Sequence, residues 1–472
     1  MEIEFLSSVF PLIEALWIVL VIIFLVLERR SPAATIAWIV VLAWLPVIGI
    51  AVYFFLGPRR LRRRKLKRKE GHRLVSRAMQ ALDAEVEDPR LTSLARLALA
   101  TGESPPLSAT SVSLFFEGDT LYQAMEEAIR KASHHVHAEY YIFEDDPVGR
   151  RFIELLSEKA RAGVEVRLLL DALGSYRLPR QRLEALVRAG GRVAWFNPVR
   201  GVRWRFANFR THRKILIIDG MHAFTGGMNI SAKQAKSFSR ELAWRDTHLG
   251  LSGPVVRVLQ RIFFEDWYFA SGELIPAKPE FFIKPTCPEG GILVQIIGSG
   301  PDRDLSPIHA FLCSAIGQAK ERIWLTTPYF VPDEAALSAL LNAGLRGVDV
   351  RVILPKSSDS RLVDLAARSY FPDLVRGRIR FFEYQPRFIH AKSVVIDREL
   401  AIVGTANFDN RSFRLNFEVM AVVYDEGVNS ELGKAFLMDL QNSKEVRAHQ
   451  VYRKGILTRL GENGARLFSP LL

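Results

Sequence analysis

Between residues 140 and 407 the chain repeats itself, and that repeat constrains its fold more than any other feature. The first copy opens with Tyr140-Tyr141-Ile142-Phe143. It passes through a stretch with helical apolar spacing (Phe152, Leu155, Leu156) and reaches Gly163-Val164-Glu165-Val166-Arg167-Leu168-Leu169-Leu170. The second copy opens with Pro328-Tyr329-Phe330-Val331, passes Leu337, Leu340 and Leu341, and reaches Gly347-Val348-Asp349-Val350-Arg351-Val352-Ile353-Leu354. Strand, helix and glycine-led apolar strand predict α/β units with a largely parallel sheet.

Each copy then arrives at one chemical string. The first reads His212-Arg213-Lys214-Ile215-Leu216-Ile217-Ile218-Asp219, followed by Gly226-Gly227-Met228-Asn229. The second reads His390-Ala391-Lys392-Ser393-Val394-Val395-Ile396-Asp397, followed by Gly404-Thr405-Ala406-Asn407. One His-x-Lys-x4-Asp would be weak; two, each with a Gly-rich turn and an Asn beyond, are not. Residues i and i+2 of a strand share a face, so His212 projects with Lys214 and His390 with Lys392. If the halves meet about a pseudo-twofold axis, two imidazoles and two ammonium groups converge on one pocket suited to a phosphodiester. The lysines would clamp its non-bridging oxygens, and Asn229 and Asn407 would add neutral donors. Asp219 and Asp397 complete the motif. Their spacing of seven turns them away from the pocket, toward stabilising the strand end and its turn. Aligning the copies sets Asp246 opposite Glu418, and these are the expected carboxylates that pin the histidine tautomers.

The start of the chain is different in kind. Residues 9–27 and 33–56 are two apolar runs joined by Glu28-Arg29-Arg30-Ser31-Pro32, and a bilayer span needs about 20 residues. This predicts a transmembrane hairpin. A cleaved signal should begin with basic residues, and this chain begins Met1-Glu2-Ile3-Glu4. Nine lysines and arginines between Arg59 and Lys69 hold most of the net charge of +13. By the positive-inside rule they place both ends in the cytoplasm, and they add attraction for anionic lipid. With no interleaved aromatics and a membrane run beside them, a nucleic-acid role is not expected. Cys287 and Cys313 show neither metal nor disulfide-framework spacing.

The duplicated motif resembles the signature of the phospholipase D superfamily, over roughly residue 105 to the end. The hairpin is similar to the one that precedes this module in bacterial cardiolipin synthases, with Ala37-Trp38, Leu45-Pro46 and Tyr53 as shared features. So are Trp244-Arg245-Asp246, Ser299-Gly300-Pro301-Asp302, Asn407-Phe408-Asp409-Asn410-Arg411-Ser412-Phe413 and Asn416-Phe417-Glu418. Thr211 and Gly227 depart from the usual Asn and Ser. The resemblance implies an α/β fold of duplicated phospholipase D-type α/β/α domains around a shared active site, preceded by two transmembrane helices. The divisions expected are 1–57 for the hairpin, 58–104 for a basic, helical juxtamembrane linker, and 105–285 and 286–472 for the two domains.

It also implies transfer of a phosphatidyl group from one phosphatidylglycerol to another through a phosphohistidine, with His212 as nucleophile and His390 as acid and base. A hydrolase, or a transferase using another alcohol acceptor, is the alternative. The partners implied are phosphatidylglycerol and anionic lipids at a bacterial inner membrane, with a homo-oligomer left open. No cofactor is expected, since no phosphate-binding loop or dinucleotide fingerprint occurs. No metal is expected either, because His134, His135 and His137 lead into an apolar strand without a second ligand motif. His248 shares a strand face with Asp246 and is a candidate to line the pocket. The Asp171…Gly174-Ser175 turn ends a parallel strand, where α/β proteins bind ligands. Tyr140, Tyr141, Tyr329 and Phe330 read as core strand residues, a few of which could rim an acyl or glycerol site.

Overall fold

The computed structural model describes residues 2–27, 32–44, 70–75, 92–198, 209–239, 242–276, 278–282, 290–303 and 305–472. It divides into two compact units, 1–64 and 65–472.

The first unit holds helices α1 (Glu2–Leu27) and α2 (Pro32–Trp44). Val21, Leu25 and Leu42 are buried between them, and Trp17 Nε1 donates to Leu42 O at 3.2 Å. Leu16, Leu20, Ile23 and Val40 face outward. Among the described residues no helix is long and apolar enough to cross a membrane. α2 has 13 residues, about 20 Å at 1.5 Å per residue, against a hydrocarbon core of about 30 Å. The rest of the expected second span (45–56), the polar turn at 28–31 and the basic run at 59–69 lie outside the described residues.

The second unit is built on two sheets of matching order. Its strands are β1 (Leu107–Ala109), β2 (Ser111–Phe115), β3 (His135–Tyr140), β4 (Glu165–Asp171), β5 (Arg192–Phe196), β6 (Ile215–Ile218), β7 (His222–Gly226), β8 (His248–Ser252) and β9 (Ile292–Ser299). They continue with β10 (Arg322–Thr326), β11 (Phe330–Val331), β12 (Asp349–Pro355), β13 (Arg380–Tyr384), β14 (Ser393–Ile396), β15 (Leu400–Gly404), β16 (Phe408–Asp409), β17 (Glu418–Tyr424) and β18 (Ser443–Glu445). The first sheet runs β2-β8-β7-β6-β3-β4-β5. The second repeats that order as β9-β17-β15-β14-β10-β12-β13, with β1 and β18 added at its edges.

Three expectations need correction. The sheets are mixed: β3-β4-β5 and β10-β12-β13 run parallel, and the remaining pairs are antiparallel. The cause is the tight turn after each motif, at 219–221 and 397–399, which can join only antiparallel neighbours. The central strands also lie earlier than the apolar runs suggested, because β3 buries the polar His135 and His137. Gln260 joins these two rings at 3.0 and 2.8 Å, which makes a polar stretch of strand acceptable in the interior. Last, Ala98 of helix Ser93–Ala100, in the stretch expected as linker, joins the second half's core, and β1, expected within the first domain, pairs with β9 of the second sheet.

Strand alternation builds the layers. Ile215 and Ile217 of β6 face a shared core between the sheets, as do Val395 of β14 and Val403 of β15. Leu216 and Ile218 turn to the outer helices of the first half, and Val394 and Ile396 to those of the second. The helix Val256–Ser271 adds Leu259, Ile262, Phe263 and Trp267 to the shared core.

Candidate active site

The two motif histidines stand just before β6 and β14, where the halves exchange backbone hydrogen bonds. His212 N–H donates to Phe417 O at 2.8 Å and Phe417 N–H to Arg210 O at 2.9 Å. In the reciprocal place His390 N–H donates to Arg245 O at 2.7 Å and Arg245 N–H to Phe388 O at 2.9 Å. Each histidine is thereby laid beside the residue that follows its partner, a carboxylate of the opposite half. His212 Nδ1 is 3.0 Å from Glu418 Oε2 and 3.0 Å from Thr405 O. His390 Nδ1 is 2.7 Å from Asp246 Oδ2 and 2.8 Å from Lys392 Nζ.

All of these side chains are buried. Lys214 Nζ donates to His212 O at 2.7 Å, and Lys392 Nζ donates to His390 O. Burial and the charge of Lys392 push Lys214 down to about 7, while burial brings Lys392 to about 8. Burial, reinforced by Lys392, pushes His390 down to about 4; burial also lowers His212, although Glu418 opposes it. Burial alone would raise Asp246 and Glu418, but the facing cations hold both below the ordinary carboxylate range. Charges from the two halves therefore act on one another within one site.

Around the reacting groups, Tyr141 sets its ring 4.9 Å from His212, and Trp244 sits 5.3 Å from His390. Asn229 Oδ1 accepts from Ile142 N–H at 3.2 Å, and Asn407 N–H donates to Ser412 Oγ at 3.1 Å. Asp219 and Asp397 lie a strand's length from their histidines. Asp219 accepts N–H bonds from Ser133, His134 and His135, and Asp397 from Lys320, Glu321 and Arg322. Both adopt positive φ (52° and 48°), turning the chain back into β7 and β15.

Asp171 serves the backbone. Its Oδ2 accepts Thr211 N–H at 3.1 Å and its Oδ1 accepts Leu173 and Gly174 N–H at 2.9 and 3.0 Å. His248 is buried and its Nδ1 accepts from Met228 N–H at 3.3 Å. No group of residues among those described could hold a metal ion.

Several supporting residues escaped the sequence reading. Thr405 Oγ1 donates to Glu418 Oε2, and Asn416 Nδ2 to Glu418 Oε1 at 3.2 Å. Behind His212, Arg213 donates from Nε to Glu418 O at 3.1 Å, from Nη2 to Ser299 O at 3.2 Å, and to Asp266. Glu139, raised by burial and by Asp266 beside it, accepts from Thr211 Oγ1. Arg245 grips Asp439 through two bonds of 3.0 and 2.7 Å, tying the first half's loop to a helix of the second. Arg213 sits between His and Lys, where strand alternation points a side chain away from the pocket, and that was the available signal.

Known proteins match this arrangement at each level. The phospholipase D-like domain of cardiolipin synthases matches residues 125–267 and 312–440, and a phospholipase D-nuclease N-terminal segment matches 15–58. A cardiolipin synthase of Geobacillus kaustophilus is 38% identical, covering 99% of this chain and 94% of its own. Cardiolipin synthase 1 of Bacillus cereus is 36% identical, with 98% and 95% covered. In fold, phosphatidylserine synthase of Haemophilus influenzae superposes with a TM-score of 0.64 at 12% identity, over 81% of this chain and 100% of that one. The duplicated sheets, the paired motifs and similarity along nearly the whole length lead to one assignment: the chain belongs to the cardiolipin synthase family of phospholipase D-like proteins.

Proposed function

We propose that this enzyme makes cardiolipin by moving a phosphatidyl group from one phosphatidylglycerol to a glycerol hydroxyl of another, releasing glycerol. One observation carries the chemistry: two buried imidazoles, each backed by a carboxylate from the opposite half, with a buried lysine beside each.

His212 is the nucleophile in this reading. Its Nδ1 faces two acceptors, so the proton belongs there and Nε2 keeps its lone pair. Nε2 attacks phosphorus, and the P–O bond to glycerol breaks as His390 gives its Nε2 proton to the leaving alkoxide. Neutral His390 then takes the proton of the second lipid's hydroxyl, whose oxygen attacks phosphorus and breaks the P–N bond. His390 Nδ1 holds its proton toward Asp246 Oδ2 at 2.7 Å, which leaves Nε2 free to give a proton and then take one. Lys214 and Lys392, with Asn229 and Asn407, stabilise charge on the non-bridging oxygens. Entry of the anionic phosphodiester offsets the ammonium charges that depress the imidazolium form, restoring the proton on His390. Asp219 and Asp397 act on the strand ends. The apolar runs at 9–27 and 33–56 and the basic run at 59–69 support a two-span anchor with the catalytic unit on the cytoplasmic face.

Purified protein incubated with phosphatidylglycerol in mixed micelles, beside His212→Ala and His390→Ala, tests this by lipid chromatography and mass spectrometry. Cardiolipin and glycerol from the unaltered protein alone is the expected result. Phosphatidic acid as main product would replace the transferase with a hydrolase, and no turnover would remove phosphatidylglycerol as donor.

A further inference from the structure

The helix Ile456–Arg466 is turned the wrong way round for a helix facing water. It packs on the helix Arg361–Arg376, where Arg466 lies over the Tyr370 ring and 3.7 Å from Asp373; Glu462 and Ala465 are buried, while its leucines stand outside. Leu457 is 81% exposed, Leu460 63%, and Leu467 just beyond 81%. At 100° per residue, Ile456, Leu457, Leu460, Leu467 and Phe468 fall within one arc of about 120°. Single exposed leucines are ordinary; a contiguous row of them marks a surface that meets something apolar.

Charge says what that is. From residue 447 to 472 the one acidic side chain is Glu462. It is spent on Lys454, whose Nζ lies 2.7 and 2.8 Å from its two oxygens. Arg453 and Arg459 stand exposed, so an apolar row is flanked by cations, the pattern of a helix lying in an anionic lipid interface. The position fits as well. Leu472 O accepts Arg411 N–H at 2.8 Å, and the turn Ser469–Leu471 packs on the helix Asn410–Arg414, a few residues past Asn407. The charge of Arg411 reaches Tyr141, the ring that lies on His212.

We propose that this face rests on the surface of an anionic phospholipid bilayer. Leu457, Leu460, Leu467 and Phe468 enter the upper acyl region, and Arg453 and Arg459 meet headgroup phosphates. The idea rests on bilayer phospholipid being the substrate, since it places the lipid surface beside the site that consumes it.

The full chain, with Cys287→Ser and Cys313→Ser, would carry an environment-sensitive dye at Leu457→Cys, Leu460→Cys or Leu467→Cys. The exposed position Glu127→Cys serves as control. In phosphatidylglycerol vesicles the three dyes are expected to shift to the blue and lose most of their emission to lipids brominated on the acyl chain. The Glu127 dye should respond only to aqueous iodide. Iodide quenching at all four positions would overturn the proposal. So would protection from both quenchers with dye-to-dye transfer between copies, which would mean that a second chain covers the face. Cardiolipin formation is measured in the same vesicles: bromolipid quenching without product would sink the functional reading and leave the docking surface standing, and product with iodide quenching would do the reverse.

Discussion

At the scale of single residues, the two buried lysines bear directly on how the site responds to pH. Burial and the charge of Lys392 bring Lys214 to about 7 and burial brings Lys392 to about 8, so both are cationic below those values and lose charge as pH rises through them. In kcat/KM, which reports the free enzyme, loss of the His390 proton begins the fall at low pH, and loss of the lysine charges is expected to add a steeper limb above roughly pH 7–8. Lys214→Arg should move that limb upward whatever it does to the rate, because guanidinium keeps its proton. A pH profile on phosphatidylglycerol micelles checks this; an unmoved limb would take Lys214 out of the explanation.

Gly227 makes a second point. A Cβ there would lie 1.9 Å from Asp246 Oδ1, whereas its counterpart Thr405 donates a hydroxyl to the longer Glu418. Gly227→Thr should push Asp246 off His390 and lower kcat by roughly 10²–10⁴, the scale of losing a histidine's orienting carboxylate. Adding Asp246→Glu should recover part of that loss. A double-mutant cycle showing simple additivity would mean the two sites do not differ in this way.

At the scale of elements, the motif aspartates are turn makers. Asp219 accepts three backbone N–H groups at the start of β3 while its own positive φ reverses the chain into β7. Asp219→Ala should cost about 2 kcal/mol of stability, with water replacing part of the lost bonding. Turnover per folded molecule should hold within a few-fold. Thermal melting and specific activity separate the two effects, and loss of kcat at unchanged melting temperature would return Asp219 to the chemistry.

The same elements show what the sequence could tell. Histidine, lysine and the Gly-rich turns were legible because the chemistry needs them in fixed order, twice. The direction of the strands was not, since Asp219-Gly220 reads as the end of a motif before it reads as a reversal. The strand β3 was masked by His135 and His137, whose burial makes sense only once Gln260 arrives from a helix more than a hundred residues away. Alignment set Asp246 and Glu418 in equivalent places, but equivalence is silent about which histidine each one meets.

At the scale of the whole molecule, neither half contains a finished site. His212 takes its carboxylate from residue 418 and His390 from residue 246, and even β1 is lent to the opposite sheet. Residues 65–285 and 286–472 expressed apart are expected to show no transferase activity, and expressed together to copurify with activity. Activity from either piece alone would refute the crossed arrangement.

That crossing also sets a clock on the ribosome. His212 and Glu418 are 206 positions apart, on the order of 10–40 s of elongation at roughly 5–20 residues per second. Throughout that interval His212, the proposed nucleophile, has no Glu418 to orient it. The proposed site is therefore incomplete through most of synthesis, and the carboxylate that turns His212 arrives only with residue 418.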